Sequence, residues 1–252
     1  MNVYQIILST IESKGGVYFI LLDPDKIEAA TIPEFLKVCE NAGVDGFLVG
    51  GSLIVDGNLE ASIELLKKHT SLPLIIFPGS VDQLSPKADA LLYLSLVSGR
   101  NAEHIIGKHV LAAPTIKKFN LEAISTGYML IESGRQTTAE YISGTRPIPR
   151  NKPEIAVSTA LAAQYLGMKL IYLEGGSGAD NHVPFEMINS VSNEIDIPLI
   201  VGGGIRNPDV ARQMVKNGAN IIVTGNYFED KSNWNQIKEF ASAVHVKLPV
   251  DV

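Results

Sequence analysis

Asp23 closes one apolar run and opens the segment Asp23-Pro24-Asp25-Lys26, and Ser52 follows another run after Gly50-Gly51. A carboxylate and a hydroxyl are hard oxygen ligands, suited to Mg²⁺ when water and phosphate oxygens fill its other positions. Asp23 could equally repel an anion or cap a following helix, and Asp25 suits the capping role at least as well. Tyr172, Leu173 and Glu174 end a further apolar run and lead into Gly175-Gly176-Ser177-Gly178. A glutamate beside a glycine loop can take a proton or a hydrogen bond from a substrate hydroxyl. It can also sit in a salt bridge, with Arg206 or Lys169 as partner, and the spacing leaves both readings open. Tyr172 is either a buried wall or a phosphate hydrogen-bond donor. Gly202-Gly203-Gly204 and Thr224-Gly225-Asn226 end two more apolar runs. Glycine lets backbone N–H groups approach a ligand without Cβ interference, and paired loops of this kind cradle phosphate. The plainer role for the same glycines is tight turns alone.

Strands must carry these groups. Short apolar runs at 17–22, 46–49, 73–77, 91–96, 127–131, 170–173, 199–201 and 221–223 read as strands buried on both faces. Helical periodicity marks 2–13, 32–41, 59–69, 102–113, 154–166 and the stretch after Asn207-Pro208-Asp209. Alternating β and α units imply a parallel sheet. Eight strands in 252 residues favour closure into a modified (β/α)8 TIM barrel, an α/β fold, as a single domain over 1–252. A barrel collects its active site at the C-terminal strand ends, with a phosphate site after strands seven and eight. Two segments fit less well. Residues 114–125 read as irregular, and 132–153 is loop-rich, with Gly134, Gly144, Pro147 and Pro149, a candidate lid or a surface for oligomer contacts.

Composition narrows the classes. A net charge of −6 excludes a broad basic footprint for nucleic acid. One cysteine, Cys39, excludes an internal disulfide, and its place in a helical stretch predicts a buried thiol rather than a nucleophile. No apolar run reaches membrane-spanning length and no leader pattern stands out, so the expectation is a soluble cytoplasmic protein. His69, His104, His109, His182 and His245 show no metal-ligand spacing and are expected at the surface or at helix ends. Ser98 and Ser177 lack a histidine in any nucleophile pattern.

Several signatures occur together: LLDPDK at 21–26, GGSL at 50–53, TGYMLIESG at 126–134, YLEGGSG at 172–178, VGGGIRNP at 201–208 and VTGN at 223–226. From about residue 15 to about 240 the chain resembles the geranylgeranylglyceryl phosphate synthase family, whose bacterial relatives use other prenyl chain lengths. YLEGGSG is the specific element; the glycine loops alone would fit many phosphate-binding barrels. The resemblance implies an Mg²⁺-dependent prenyltransferase. It joins the C3 hydroxyl of sn-glycerol 1-phosphate to geranylgeranyl diphosphate, or another long polyprenyl diphosphate, and forms the first ether bond of an ether lipid. By motif, Asp23 and Ser52 become the metal residues. Tyr172, Leu173, Glu174, Gly175, Gly176, Ser177 and Gly178, with Gly203, Gly204, Gly225 and Asn226, become the glycerol-phosphate site. Glu174 becomes the base or hydroxyl-orienting group, with Tyr172 beside it. Phe77, Tyr93, Leu94, Tyr128 and Leu130 are expected to line a prenyl groove or to serve only as barrel core.

The pattern is not complete. Some relatives carry lysine where this chain has Leu21, and Gly175 replaces an alanine, a small-for-small change. The branch that the chain matches implies a homo-oligomer, dimer or hexamer. With no amphipathic anchor evident, membrane contact is expected to be transient at most. Two other classes compete. A sugar-phosphate isomerase on a similar barrel would share the glycine loops but would need acid and base groups at the ends of strands one and five, where only Glu132 is offered. A non-catalytic phosphoglycerol- or prenyl-binding protein would have no use for Glu174.

Overall fold

The computed structural model describes residues 2–246. The sheet is built from β1 (Val17–Leu22), β2 (Gly46–Gly51), β3 (Leu74–Pro78), β4 (Ala90–Leu96), β5 (Glu122–Leu130), β6 (Leu170–Glu174), β7 (Leu199–Gly202) and β8 (Ile221–Thr224). Each strand runs parallel to the next, and β8 pairs back to β1, so the eight strands close into the barrel that the alternating pattern predicts. Alternate residues point in and out. Phe19, Leu48, Ile75, Leu92, Ile124 and Ile200 fill the interior. Their neighbours Tyr18, Phe47, Ile76 and Val201 pack outward on the helices. Both faces are buried, which is why these strands read as continuous apolar runs.

The outer layer holds α2 (Ile32–Ala42), α3 (Leu59–Lys67), α4 (Lys108–Phe119), α6 (Pro153–Tyr165), α7 (Phe185–Ser192), α8 (Pro208–Lys216) and α9 (Ile237–Val244), with α1 (Val3–Lys14) and the short α5 (Thr138–Ser143) at the barrel's ends. Helix α1 plugs the N-terminal end. Val3 and Ile7 pack into the interior cluster, each contributing roughly 2 kcal/mol by burial. The Glu122 carboxylate accepts the Val3 and Tyr4 N–H groups at 2.6 and 3.0 Å, an anion on the positive end of the helix.

One expectation fails here. Residues 114–125 are not irregular: α4 continues through Pro114 to Phe119, Asn120 caps it in the left-handed region (φ 52°), and β5 begins at Glu122. A proline inside a helix strands the carbonyl four residues back. That residue is Val110, which is exposed to water, while Ala112 and Ile116 on the other side are buried against the barrel. A π-helical turn, Glu103–Gly107, precedes α4. No helix lies between β3 and β4 among the described residues. An irregular loop replaces it and leaves the barrel wall beside β4 open to a groove.

Candidate active site

Strand β6 does most of the positioning. Its alternation sends Tyr172 and Glu174 into the barrel and Leu173 out to the helix layer. Glu174 thus sits at the C-terminal mouth, only 6% exposed. Its Oε1 accepts the Gly176 N–H at 2.6 Å. Neither suggested partner pairs with it: Arg206 donates to the Ala179 carbonyl at 2.9 Å, and Lys169 stands over the Tyr4 ring at 5.1 Å. Burial raises its pKa from the ordinary 4.5 to about 7, against the smaller opposing pull of the Gly176 amide and the Tyr172 hydroxyl. A buried carboxylate of this kind, without a cation, is poised to accept a proton near neutral pH. Burial first and then the Glu174 charge push the Tyr172 hydroxyl well up, so it stays a neutral donor.

The loops after β7 and β8 supply bare amides. Among the described residues, the N–H groups of Gly203, Gly204, Gly225 and Asn226 donate to no protein acceptor. Gly203 has φ +86°, and a Cβ there would lie 2.6 Å from Glu174 Oε1 and 2.5 Å from the Gly176 nitrogen. Only glycine lets this loop close over Glu174 and keep its amide pointing at a ligand.

Asp23 stands at the end of β1 and Ser52 just past β2, and both line the same cavity. Asp23 also accepts the Asp25 N–H at 3.0 Å, so it caps the short 3-10 turn as well as facing the cavity. Asp25 does a different job: its carboxylate gathers the N–H groups of Val55, Asp56 and Gly57 at 2.9, 3.1 and 2.5 Å and fixes the loop after β2. Those bonds, Val55's first, hold its pKa below the ordinary range. One carboxylate and one hydroxyl fit a cation that keeps waters and takes substrate oxygens. Among the described residues no group of three or more His, Cys, Asp or Glu side chains gathers into a closed metal cage.

These groups line one open cavity of about 930 Å³: Asp23, Ser52, Tyr172, Glu174, Gly176, Ser177, Gly203, Gly204, Gly225 and Asn226 all face it. Three expected site residues do not. Leu173 is turned outward by strand alternation, Gly175 spends its N–H on the Gly202 carbonyl at 2.9 Å, and Gly178 lies beyond, its carbonyl taken by Arg135. Gly51, Ser52, Phe77, Tyr128 and Ala139 also line a second, more apolar cavity of about 680 Å³ that runs on past Leu94, Leu96 and Leu130. Leu94 and His109 continue it into a third space beside Tyr93. The expected groove residues Phe77, Tyr93, Leu94, Tyr128 and Leu130 therefore all lie along it.

Several lining residues escaped the sequence reading. Thr138 and Ala139 belong to α5, which lies over the mouth and contacts both cavities. Its signal was legible: Thr137 caps the helix by accepting the Glu140 N–H at 3.3 Å, and Thr137-x-x-Glu140 is a capping box. Leu53 and Ile205 sit inside the GGSL and VGGGIRNP signatures but were given no role, and Glu229 carried no signal. His109 is buried rather than at the surface, its Nε2 3.1 Å from Ser95 Oγ, and burial lowers its pKa. Cys39 is buried as expected, and burial pushes its thiol well up, away from nucleophilic use.

The model of the PcrB family matches residues 9–244. A geranylgeranylglyceryl phosphate synthase of Chitinophaga pinensis is 47% identical over 240 residues, 95% of this chain and 94% of its own length. One from Pyrococcus horikoshii is 43% identical over 232 residues, 92% of this chain and 91% of its own. Among solved structures, (S)-3-O-geranylgeranylglyceryl phosphate synthase from Thermoplasma acidophilum, in complex with its substrate sn-glycerol-1-phosphate, superposes with a TM-score of 0.90 at 34% identity, covering 97% of this chain and 99% of that one. Matched by the family model over nearly the whole barrel, and by relatives this similar along more than nine-tenths of its length, the chain belongs to the PcrB family.

Proposed function

We propose that this chain is a prenyltransferase that joins the C3 hydroxyl of sn-glycerol 1-phosphate to a polyprenyl diphosphate, geranylgeranyl diphosphate first among donors, and releases diphosphate. One observation carries the reading: a buried Glu174 with no cationic side chain beside it lines a cavity of bare amides that adjoins an apolar groove. Relatives bearing the synthase name, and the neighbour bound to sn-glycerol-1-phosphate, support the substrate class.

In this reading the amides of Gly203, Gly204, Gly225 and Asn226 bind the glycerol phosphate, and Ser177 closes the site. Holding the phosphate fixes the C3 hydroxyl against Glu174, which orients it and takes its proton as the ether bond forms. The prenyl tail lies in the groove past Leu94 and Leu130, away from water. Asp23 and Ser52 would hold Mg²⁺, which neutralises charge on the leaving diphosphate when bound. Tyr172 donates a hydrogen bond beside Glu174 and keeps its carboxylate in place.

An isomerase reading lacks its second group: Glu132, at the end of β5, accepts the Arg150 N–H at 3.3 Å and does not line the cavity. The transferase reading includes a homo-oligomer, dimer or hexamer. Exposed Ile106, Val110 and Leu111 near and on α4, with Tyr165 and Leu166 at the end of α6, offer apolar surface for one. No helix among the described residues is long and apolar enough to cross a membrane. The same reading places the enzyme in the cytoplasm and has it touch a membrane only to exchange lipid, which co-sedimentation with liposomes tests. The decisive experiment supplies radiolabelled sn-glycerol 1-phosphate, Mg²⁺ and prenyl diphosphates of several lengths. A butanol-extractable labelled product, lost on chelation, is expected; folded protein giving no product with any donor overturns the reading.

A further inference from the structure

We propose that Phe77 and Tyr128 form an aromatic floor that stabilises the allylic cation developing at C1 of the prenyl donor. The inference rests on the transferase reading above and assigns to it two residues that otherwise look like barrel core.

The first argument is position. The nucleophile is held at Glu174 in the polar cavity, and the tail occupies the apolar groove. The reacting carbon must therefore cross the boundary between them. Gly51, Ser52, Phe77, Tyr128 and Ala139 line both cavities and define that boundary. Of these, only Phe77 and Tyr128 carry π faces. They come from β3 and β5, on either side of the groove's first residues on β4.

The second argument is rigidity. Three rings lock one another. Phe77 and Tyr128 meet edge to face, centroids 5.8 Å apart at 72°. Phe77 stacks on Tyr172 at 5.6 Å and 26°, and Tyr128 meets Tyr172 at 5.4 Å and 82°. Tyr172 is wholly buried beneath them, while Phe77 and Tyr128 keep 8% and 9% of their surface, the part turned to the cavities. Rings fixed by their neighbours need no reorganisation as charge appears, which is the condition under which electrostatic stabilisation is most effective.

The third argument is chemistry. As transfer proceeds, the C1–O bond breaks and its electron pair stays on the departing diphosphate oxygen. The C3 hydroxyl oxygen of glycerol phosphate gives a pair to C1, and its proton passes to the Glu174 carboxylate. Between these events positive charge spreads over C1 and C3 of the allyl group. An aromatic face attracts a cation without offering a nucleophilic lone pair, and it excludes water that would quench the cation.

The test replaces Tyr128 by Phe, by mono-, di- and trifluorophenylalanine through nonsense suppression, and by Leu. Fluorine drains the ring's face while leaving its shape nearly unchanged. The expected result is that Tyr128→Phe stays within a few-fold of the parent. Turnover number then falls log-linearly with fluorination, to roughly 10- to 100-fold for the trifluoro ring and for Tyr128→Leu. KM for sn-glycerol 1-phosphate and the thermal midpoint stay constant through the fluorinated series. A flat series overturns the proposal and leaves Tyr128 as packing. A large loss in Tyr128→Phe overturns it in favour of a role for the hydroxyl. If position 128 does not tolerate the series, the same series at Phe77 is read in the same way. Absence of transfer by the unmodified enzyme overturns the transferase reading itself and is seen in the control before any variant is made.

Discussion

Glu174→Gln should make the protein more stable and nearly inactive, and the size of the first effect follows from burial. Desolvation holds the Glu174 carboxyl at about 7 in the native state against an ordinary 4.5. Between those values the unfolded chain carries an ionised glutamate while the folded chain still holds the proton. Stability therefore falls as pH rises across that window, and the whole cost is present above pH 7. The gap corresponds to roughly 3 kcal/mol at pH 8 and to a few tenths near pH 4.5. Glutamine carries no charge to desolvate, and its amide oxygen can still accept the Gly176 N–H. The variant should thus exceed the parent by up to ~3 kcal/mol in urea denaturation at pH 8, or by several degrees in thermal midpoint. The two should nearly coincide at pH 4.5. Turnover should fall about 10²- to 10⁴-fold, the range for loss of a general base. For the parent, kcat/KM should rise with pH to a plateau with an apparent pKa near 7, since the ionised carboxylate is the active form. A stability difference that is the same at both pH values would refute the argument that burial of an unpaired charge sets the reactivity of this site.

Three further outcomes follow from particular contacts. Gly203→Ala places a Cβ at φ +86°, 2.5 Å from the Gly176 nitrogen; it should cost roughly 1–3 kcal/mol in denaturation and raise KM for sn-glycerol 1-phosphate more than tenfold. Leu94 lines both parts of the groove, so Leu94→Trp should fill it, selectively lowering turnover with the longest donors while calorimetric binding of sn-glycerol 1-phosphate is unchanged. Asp45, at the other end of the barrel, accepts Lys14 Nζ at 2.5 Å, His245 Nε2 at 2.7 Å and the Tyr18 N–H at 2.8 Å. Burial pushes its pKa up, but the bonds from His245, Lys14 and Tyr18 outweigh it and hold the carboxyl below the ordinary range. The stability it contributes is present above about pH 4 and lost as pH falls through the lowered value. Asp45→Ala should therefore cost roughly 2–4 kcal/mol at pH 7, with the gap to the parent closing in acid titration, and leave turnover at 25 °C unchanged.

The strands were legible because burial on both faces leaves them no polar residues until they end, and the polar residues that end them are the site. Asp23, Ser52, Glu174, Gly203 and Gly225 converge because each follows an apolar run, and a parallel barrel brings all such ends to one rim. Reading a motif as a continuous string was less reliable. The motif carried Tyr172 through Gly178 into the glycerol-phosphate site as one stretch, yet strand pleat turns Leu173 away, and the ladder bond to Gly202 takes up the Gly175 amide. The course of α4 through Pro114 was hidden because the local cost of proline is visible in sequence, whereas the offsetting burial of Ala112 and Ile116 is not. The groove was legible only on its strand side. Its strand residues come from β3, β4 and β5 and were expected, but its other wall comes from His104, Lys108 and His109 before and on α4 and from Ala139, Ile142 and Ser143 on α5, which no local pattern ties to the strands. Glu174 shows where the two kinds of information join. Its identity was plain, but its reactivity depends on what does not reach it. Arg206 is held by the Ala179 carbonyl, and Lys169 lies at the opposite, N-terminal end of β6 over the Tyr4 ring, so the buried carboxylate has no cationic side chain beside it. A cationic side chain paired directly with it would lower its pKa and weaken the base. The loop contacts that keep Arg206 turned away are therefore as much a part of the catalytic arrangement as the glutamate.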